Sequence, residues 1–387
     1  MNLQFLPGQN FECADCSRCC RSKWNIHVDE TSREKIRGSP LELRVIQEFG
    51  QALVDEEGSL SRVAKRADGA CVFLDERELC RIHAEIDRKA KPIGCRQYPF
   101  MIRPTPDGVV IGASFYCPSI QRNSGRPLAT YQDELEELIR EYGYQPLGFQ
   151  PIPAGAGRML EWPAYSALER HLLQWLSESP AEAALARGVW ALGSLLARQP
   201  DSPIVLPLLA PRLTDPPSHR LEEDEVLGTL REFFLAALIA TVEAPHPEMA
   251  RPLTEELLEG RPVELSKLGW RGTLPGLYVF LSGPGPATTS PLEKGIRRYL
   301  EALLFRKFLA MERPVLDNLA ALSLIPGLLR FYHFVAGLAS PDAPPEQHLY
   351  AAYDVAEMEL VTHSFGVSPL FAGFASAFLD QLVLLPD

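Results

Sequence analysis

The stretch FECADCSRCC, residues 11–20, carries four cysteines in eight positions counted from Cys13, and the last two are adjacent. The pattern is CxxCxxCC, and the use of those sulfurs decides how the N-terminal third of the chain folds. Two further segments supply partners: CVFLDERELCRIH at 71–83, with Cys71 and Cys80, and KPIGCRQYPF at 91–100, with Cys95. Cys117 follows in FYCPS. All eight cysteines (Cys13, Cys16, Cys19, Cys20, Cys71, Cys80, Cys95 and Cys117) fall within the first 117 residues, and the remaining 270 contain none.

A CxxC turn lets two thiolates converge on one ion while exposed backbone N–H groups face the bound sulfurs, and a third Cys three residues later adds a ligand. Metal or cluster binding explains the constellation better than its alternatives. Disulfides belong to oxidising compartments, whereas MNLQFLPGQN at the N-terminus has neither a basic n-region nor an apolar h-region, so reduced thiols and a cytoplasmic location are expected. A bond between Cys19 and Cys20 would also be strained. Haem attachment lacks its CxxCH, and chance rarely packs metal-free structural thiols so densely.

Between metals, three equally spaced cysteines followed by isolated ligands favour a 4Fe-4S iron-sulfur arm over the paired CxxC units of structural zinc, with Zn as the alternative. Cys117-Pro118 echoes the Cys-Pro that closes ferredoxin arms, and the CxxxCxxC of radical enzymes is absent. Eight sulfurs suffice for two complete four-sulfur sites, or for one site plus reactive thiols. The vicinal pair leaves adjacent backbone positions in different directions, so Cys19 and Cys20 are expected to serve two different sites.

Taken in order, FxCxxCxxCC at 11–20, CxFLxxxxxCxIH at 71–83, KPxxCRxYPF at 91–100 and Cys-Pro at 117–118 resemble the YkgJ-type cysteine-cluster family of zinc- or iron-chelating domains. The resemblance covers roughly residues 10–122, under a third of the chain, and implies metal or iron-sulfur binding by these cysteines. The layout, with a longer helical part after the cysteines, is also similar to the flagellin lysine N-methylase family. That likeness implies S-adenosylmethionine as a cofactor, an iron-sulfur cluster taking part in methyl transfer, and protein lysine as the acceptor.

Other residues allow two readings each. His83 follows Cys80 at CxxH spacing and is a candidate metal ligand, or else a surface histidine. His27 reads as structural. Arg96 and Tyr98, directly after Cys95, are candidate cofactor-binding residues that donate hydrogen bonds to cluster sulfur or an anionic group; alternatively Arg96 pairs with a carboxylate and Tyr98 packs under the site. Pro92 and Pro99 fix the chain on both sides of Cys95. No GxGxxG, GxSxG, HExxH or P-loop occurs, and LSGPGPATTS at 281–290 reads as a linker.

Charge separates the same two regions. Residues 1–126 hold 19 Lys+Arg and 17 Asp+Glu, leaving 19 and 33 for residues 127–387 of a chain with net charge −12. That balance argues against nucleic acid as a partner and fits a basic or lysine-rich protein. No membrane span is expected, because Pro326, Arg330 and His333 interrupt the most apolar stretch, Leu319 to Ala339. The predicted architecture is mainly α: an irregular cysteine-rich metal module, residues 1–126, packed on a larger α-helical domain, residues 127–387. One helix is predicted from Ser32 to Gly50 and a strand at Val109–Phe115 paired with Phe100–Arg103. Further helices are predicted over Leu128–Tyr142 and near 160–178, 181–198, 220–243, 290–311, 315–338, 345–363 and 366–385. The proline-rich stretches 147–157, 200–220 and 281–291 read as connectors. A module with so little core of its own is expected to fold only around its metal, with the helices embracing it and shaping a pocket beside it. Three functions suit this design: cluster-dependent methyl or group transfer to protein lysine, a zinc-stabilised protein-interaction module, or metal handling without catalysis.

Overall fold

The computed structural model describes residues 2–22, 24–55, 61–143, 151–198, 203–214, 225–281, 290–362 and 367–384. The fold is mainly α, and its contacts divide the chain into two compact units, Met1–Pro146 and Leu147–Asp387. The division falls beyond residue 126 because the helix Gln132–Tyr142 packs on the short helix Ile93–Gln97 that carries Cys95.

In the first unit, Asp29 caps the helix Glu30–Ile36 by accepting from the Ser32 N–H at 3.0 Å, and Ser39 caps Pro40–Phe49 by accepting from the Glu42 N–H at 3.1 Å. These two helices replace the single one predicted over Ser32 to Gly50. Gly38 turns the chain at φ +72°, and Ser39 precedes a proline, which disfavours helical geometry at that residue. The predicted hairpin is present: Phe100–Thr105 pairs antiparallel with Gly108–Ala113, Arg103 facing Val110, and Leu3–Phe5 joins in parallel. A second three-stranded sheet orders His27–Val28, Ser61–Val63 and Leu53–Asp55. Its strands have two or three residues, too few to show alternation in the sequence.

The module is less irregular than predicted, and it has a core. Val28, Ile36, Leu41, Val45, Val63, Val72, Phe73 and Ile82 are buried together, with Cys71 and Cys80 packed against them. Burying each large apolar side chain contributes about 1.5–3 kcal/mol, so this part of the unit is held by packing before any metal is counted.

In the second unit the helices Trp162–Glu178, Ala181–Arg198, Glu225–Glu243, Pro291–Phe305, Pro345–Ala356 and Ser368–Leu384 lie where the apolar period predicts. They surround Val315–Ala339, which lies where a helix is predicted near 315–338 and runs unbroken through Pro326. That helix is long and apolar enough to cross a membrane by length and composition, and 83% of its most apolar window is buried inside the unit. Leu206–Thr214 was missed within the proline-rich stretch 200–220: Pro207 sits in its first turn, where no N–H is needed, although Pro211 lies inside it. Residues 282–289 of the 281–290 linker lie outside the described residues.

Several charged groups inside this unit are paired. Arg306 bonds Glu357 at 2.7 Å and Tyr299 donates to the same carboxylate at 2.9 Å. Arg330 joins Glu182 and Glu293, Lys307 joins Glu169, and Tyr332 donates to Glu243 at 2.8 Å. Five of the acidic residues counted in the sequence, Glu169, Glu182, Glu243, Glu293 and Glu357, are therefore engaged inside the unit.

Candidate metal centre

The cysteine arm turns through two left-handed residues, Asp15 at φ 49° and Ser17 at φ 53°, before the one-turn helix Arg18–Arg21. Neither is glycine, so the surroundings must impose the conformation. Ser17 and Arg21 both bond the Glu78 carboxylate, which ties this turn to the loop between Cys71 and Cys80. The Cys71 N–H donates to the Cys20 carbonyl at 2.8 Å, Lys65 Nζ donates to the Ser22 carbonyl at 2.9 Å, and the Trp24 indole N–H donates to the Cys19 carbonyl at 3.1 Å.

The second cysteine segment is a tight loop. Asp75 accepts from the Arg77 and Leu79 N–H groups at 2.9 and 2.7 Å, and Cys80 then opens the helix Arg81–Glu85. The third is anchored by Asp29, whose other carboxylate oxygen accepts from the Ile93 N–H at 2.9 Å at the start of Ile93–Gln97. Three ion pairs, Arg88 with Glu134, Lys89 with Glu137, and Arg96 with Glu141 at 2.5 Å, clamp this segment to the helix Gln132–Tyr142.

These elements close around one cavity of about 230 Å³, built from the first unit alone. Cys19, Cys20, Cys71, Cys80 and Cys95 line it, together with Lys65 and Lys91 and an apolar wall that includes Trp24, Ile26 and Tyr98. A water needs roughly 10–15 Å³ of such space, so the cavity holds far more than a lone ion. Among the described residues, no three Cys, His, Asp or Glu side chains stand ready to hold one metal ion. The sulfurs ring a space instead of meeting at a point. A donor set that is all sulfur, free of disulfides and flanked by two lysines fits a thiolate-bound metal group, with Cys19, Cys20, Cys71, Cys80 and Cys95 as the residues that would hold it.

The electrostatics follow from burial and neighbours. The Cys20 thiol hydrogen-bonds Cys19 and, with help from the Lys91 ammonium, brings the Cys19 thiol down to about 6 against the opposing effect of burial; Cys20 itself is held protonated. Burial pushes Cys71 up to about 11, Cys95 to about 12 and Cys117 to about 11. Without metal these three stay neutral, so loading a metal must release their protons.

The remaining sequence candidates are placed as follows. Cys13 and Cys16 are exposed and Cys117 is buried, and none of the three lines the cavity. Cys19 and Cys20, expected to face two sites, both line it. His83 and His27 are exposed and outside the lining. Tyr98 lines the cavity and packs on Trp24, ring centroids 5.3 Å apart, whereas Arg96 is engaged with Glu141. Sequence reading passed over Lys65, Lys91 and Trp24. For Lys91 the available signal was its place at the head of KPxxCRxYPF, four residues before Cys95, and for Trp24 proximity alone, four residues after Cys20.

Comparison with known proteins agrees with this geometry. Residues 12–121 match a family model, CxxCxxCC, described as "Putative zinc- or iron-chelating domain". The match takes in every cysteine and points to zinc or iron chelation as their work. An uncharacterized protein of Methanocaldococcus jannaschii is 29% identical over 136 residues, which is 35% of this chain and 45% of that protein, so the chain spans less than half of its relative. No solved structure matches.

Proposed function

We propose that the first unit holds an iron-sulfur cluster in the thiol-lined cavity and that the protein uses it for group transfer. The observation that carries this reading is the ring of five cysteines around a space far larger than one ion. A structural zinc site has four ligands already converging and no free volume, whereas here a fifth sulfur and an apolar wall leave room for a small molecule. When bound, such a centre supplies an open coordination position or an electron at the cavity wall. Lys65 and Lys91 offset the negative charge of the thiolates, and Trp24, Tyr98, Ile26, Val63 and Ile82 keep water from the space between them. The resemblance of the sequence layout to that of the flagellin lysine N-methylases is what suggests S-adenosylmethionine as methyl donor and a protein lysine as acceptor.

The test is anaerobic purification followed by an optical spectrum and metal analysis. Brown protein with iron and acid-labile sulfide is expected; colourless protein carrying only zinc refutes the cluster. Calorimetry with S-adenosylmethionine, in oxidised and reduced states, then tests the donor, and absence of heat in both removes methyl transfer from the reading.

A further inference from the structure

The helix Ile93–Gln97 and the residues flanking it turn one face to the cavity. Lys91, Gly94, Cys95 and Tyr98 all line it, whereas Arg96 turns away to Glu141. Among the cations of this segment Lys91 stands apart. Arg88, Lys89 and Arg96 are each paired with a glutamate of the helix Gln132–Tyr142, and Lys91 has no carboxylate partner among the described residues. Its backbone is nevertheless held on both sides: the N–H donates to the Arg88 carbonyl at 3.2 Å, and the carbonyl accepts from the Ser32 hydroxyl at 3.0 Å.

The other cavity lysine is already committed, since Lys65 Nζ donates to the Ser22 carbonyl at 2.9 Å and lies 3.4 Å from that of Cys20. None of the described residues lining the cavity is acidic. A guest carrying only positive charge would meet two ammonium groups with no counter-charge, whereas an anionic guest would give Lys91 the partner it lacks. The lining also offers a fixed aromatic surface: the Trp24 indole, tied to the Cys19 carbonyl, packs on the rings of Tyr98 and Tyr116 with centroids 5.3 and 5.4 Å away. Ile26, Val63 and Ile82 extend it. Gly94 is exposed, and a Cβ there would meet nothing within 4 Å, so no side chain closes the cavity at that point of its lining.

We propose that the cavity binds a small organic anion, a carboxylate on a flat apolar body, with Lys91 taking the carboxylate and the wall around Trp24 taking the body. Mostly apolar walls with one well-placed charged group are the usual design of a small-molecule site, and an ammonium–carboxylate hydrogen bond fixes the orientation of the guest. Lys91 is thereby a specificity-determining residue that selects charge, while the wall accepts a body that fits. This assignment rests on the reading of the cavity as a chamber that admits a small molecule. Of the two molecules named in that reading, the methyl donor carries a carboxylate and matches the lining; the ammonium of a lysine acceptor does not.

Calorimetry on the full chain, purified anaerobically and probed with benzoate and its neutral counterpart benzamide, tests it. Benzoate should bind about ten-fold more tightly than benzamide. In Lys91→Met that preference should vanish through loss of benzoate affinity, with benzamide unchanged, and Lys91→Arg should restore it. Equal binding of the two probes by wild type, binding of neither, or an undiminished preference in Lys91→Met overturns the proposal. Should Lys91→Met not fold, the wild-type ratio and Lys91→Arg decide. S-adenosylmethionine added to benzoate-saturated protein names the source of the carboxylate: displacement assigns it to the methyl donor, and unchanged benzoate binding assigns it to a separate organic acid, the anion site standing in both cases. Metal analysis of the same samples keeps the failures apart. Protein that holds its metal without preferring benzoate overturns the anion site alone, and protein that holds no metal yet prefers benzoate through Lys91 overturns the cluster alone.

Discussion

The two units treat buried polar chemistry in opposite ways. In Leu147–Asp387 the carboxylates Glu169, Glu243 and Glu357 are all but inaccessible, and each meets a cation or a phenol. In Met1–Pro146 five sulfurs turn towards open volume, and only the Cys19–Cys20 bond joins any of them to each other. A buried charge that is fully paired is explained by folding alone. Five thiols around a void are not, and with the family match over the same residues that contrast points to the smaller unit as the place of metal binding.

The largest expected effect lies in the larger unit. Glu357→Ala strands Arg306, whose side chain is 3% exposed, and should cost about 3–5 kcal/mol in chemical denaturation. A loss below 1 kcal/mol would blur the contrast by showing that pair to be dispensable. Removing metal comes next: with a chelator, the first unit should lose about 3 kcal/mol, the linkage expected for a ligand at roughly a hundred times its Kd. Its apolar core should keep the helices formed, so calorimetry should show one transition moving down and the other fixed.

Gly125→Ala, which would set a Cβ 2.6 Å from Glu12 N beside Cys13, should destabilise the first unit by about 1–3 kcal/mol, the usual range for an imposed left-handed residue, and should weaken metal retention more than Gly8→Ala, where a Cβ meets nothing. The smallest effect concerns Asp29. Burial opposes its charge, but the N–H groups of Ser32 and Ile93 outweigh that and hold its carboxyl below the ordinary 3.8. Its contribution is therefore present above pH 3.8 and lost as pH falls through the lower folded-state value. Asp29→Ala should remove about 1 kcal/mol and abolish that acid step. An unchanged acid titration of the variant would show that Asp29 does not anchor the Cys95 helix.

Legibility differed between the units for a physical reason. The long helices repeat an apolar residue every three or four positions, and Val315–Ala339, Ala181–Arg198 and their neighbours could be placed within a few residues. Pro326 does not break the helix predicted over 315–338 because its cost is local, while the burial of Leu324, Ile325, Leu328 and Leu329 around it is shared by the surrounding helices. In the cysteine unit, identity was legible and arrangement was not. The metal-type spacing of Cys13 to Cys20 shows in the sequence, but the lining of the cavity depends on single contacts such as Cys71 N–H to Cys20 carbonyl and Asp29 to Ile93. Lys65 is the clearest omission: nothing in its neighbourhood differs from an ordinary surface lysine until the fold turns it onto the Ser22 carbonyl.

The clamp between residues 88–96 and the helix Gln132–Tyr142 bears on how this module could be transplanted. The recognisable motif ends at residue 121, yet the physical unit continues to Pro146. A graft cut at the motif's edge would carry all eight cysteines and leave behind Glu134, Glu137 and Glu141. Arg96, with only 11% of its side chain exposed, would arrive in the new host without its counter-charge, next to the cysteine the transplant was meant to deliver. The portable piece is the one that includes Tyr142.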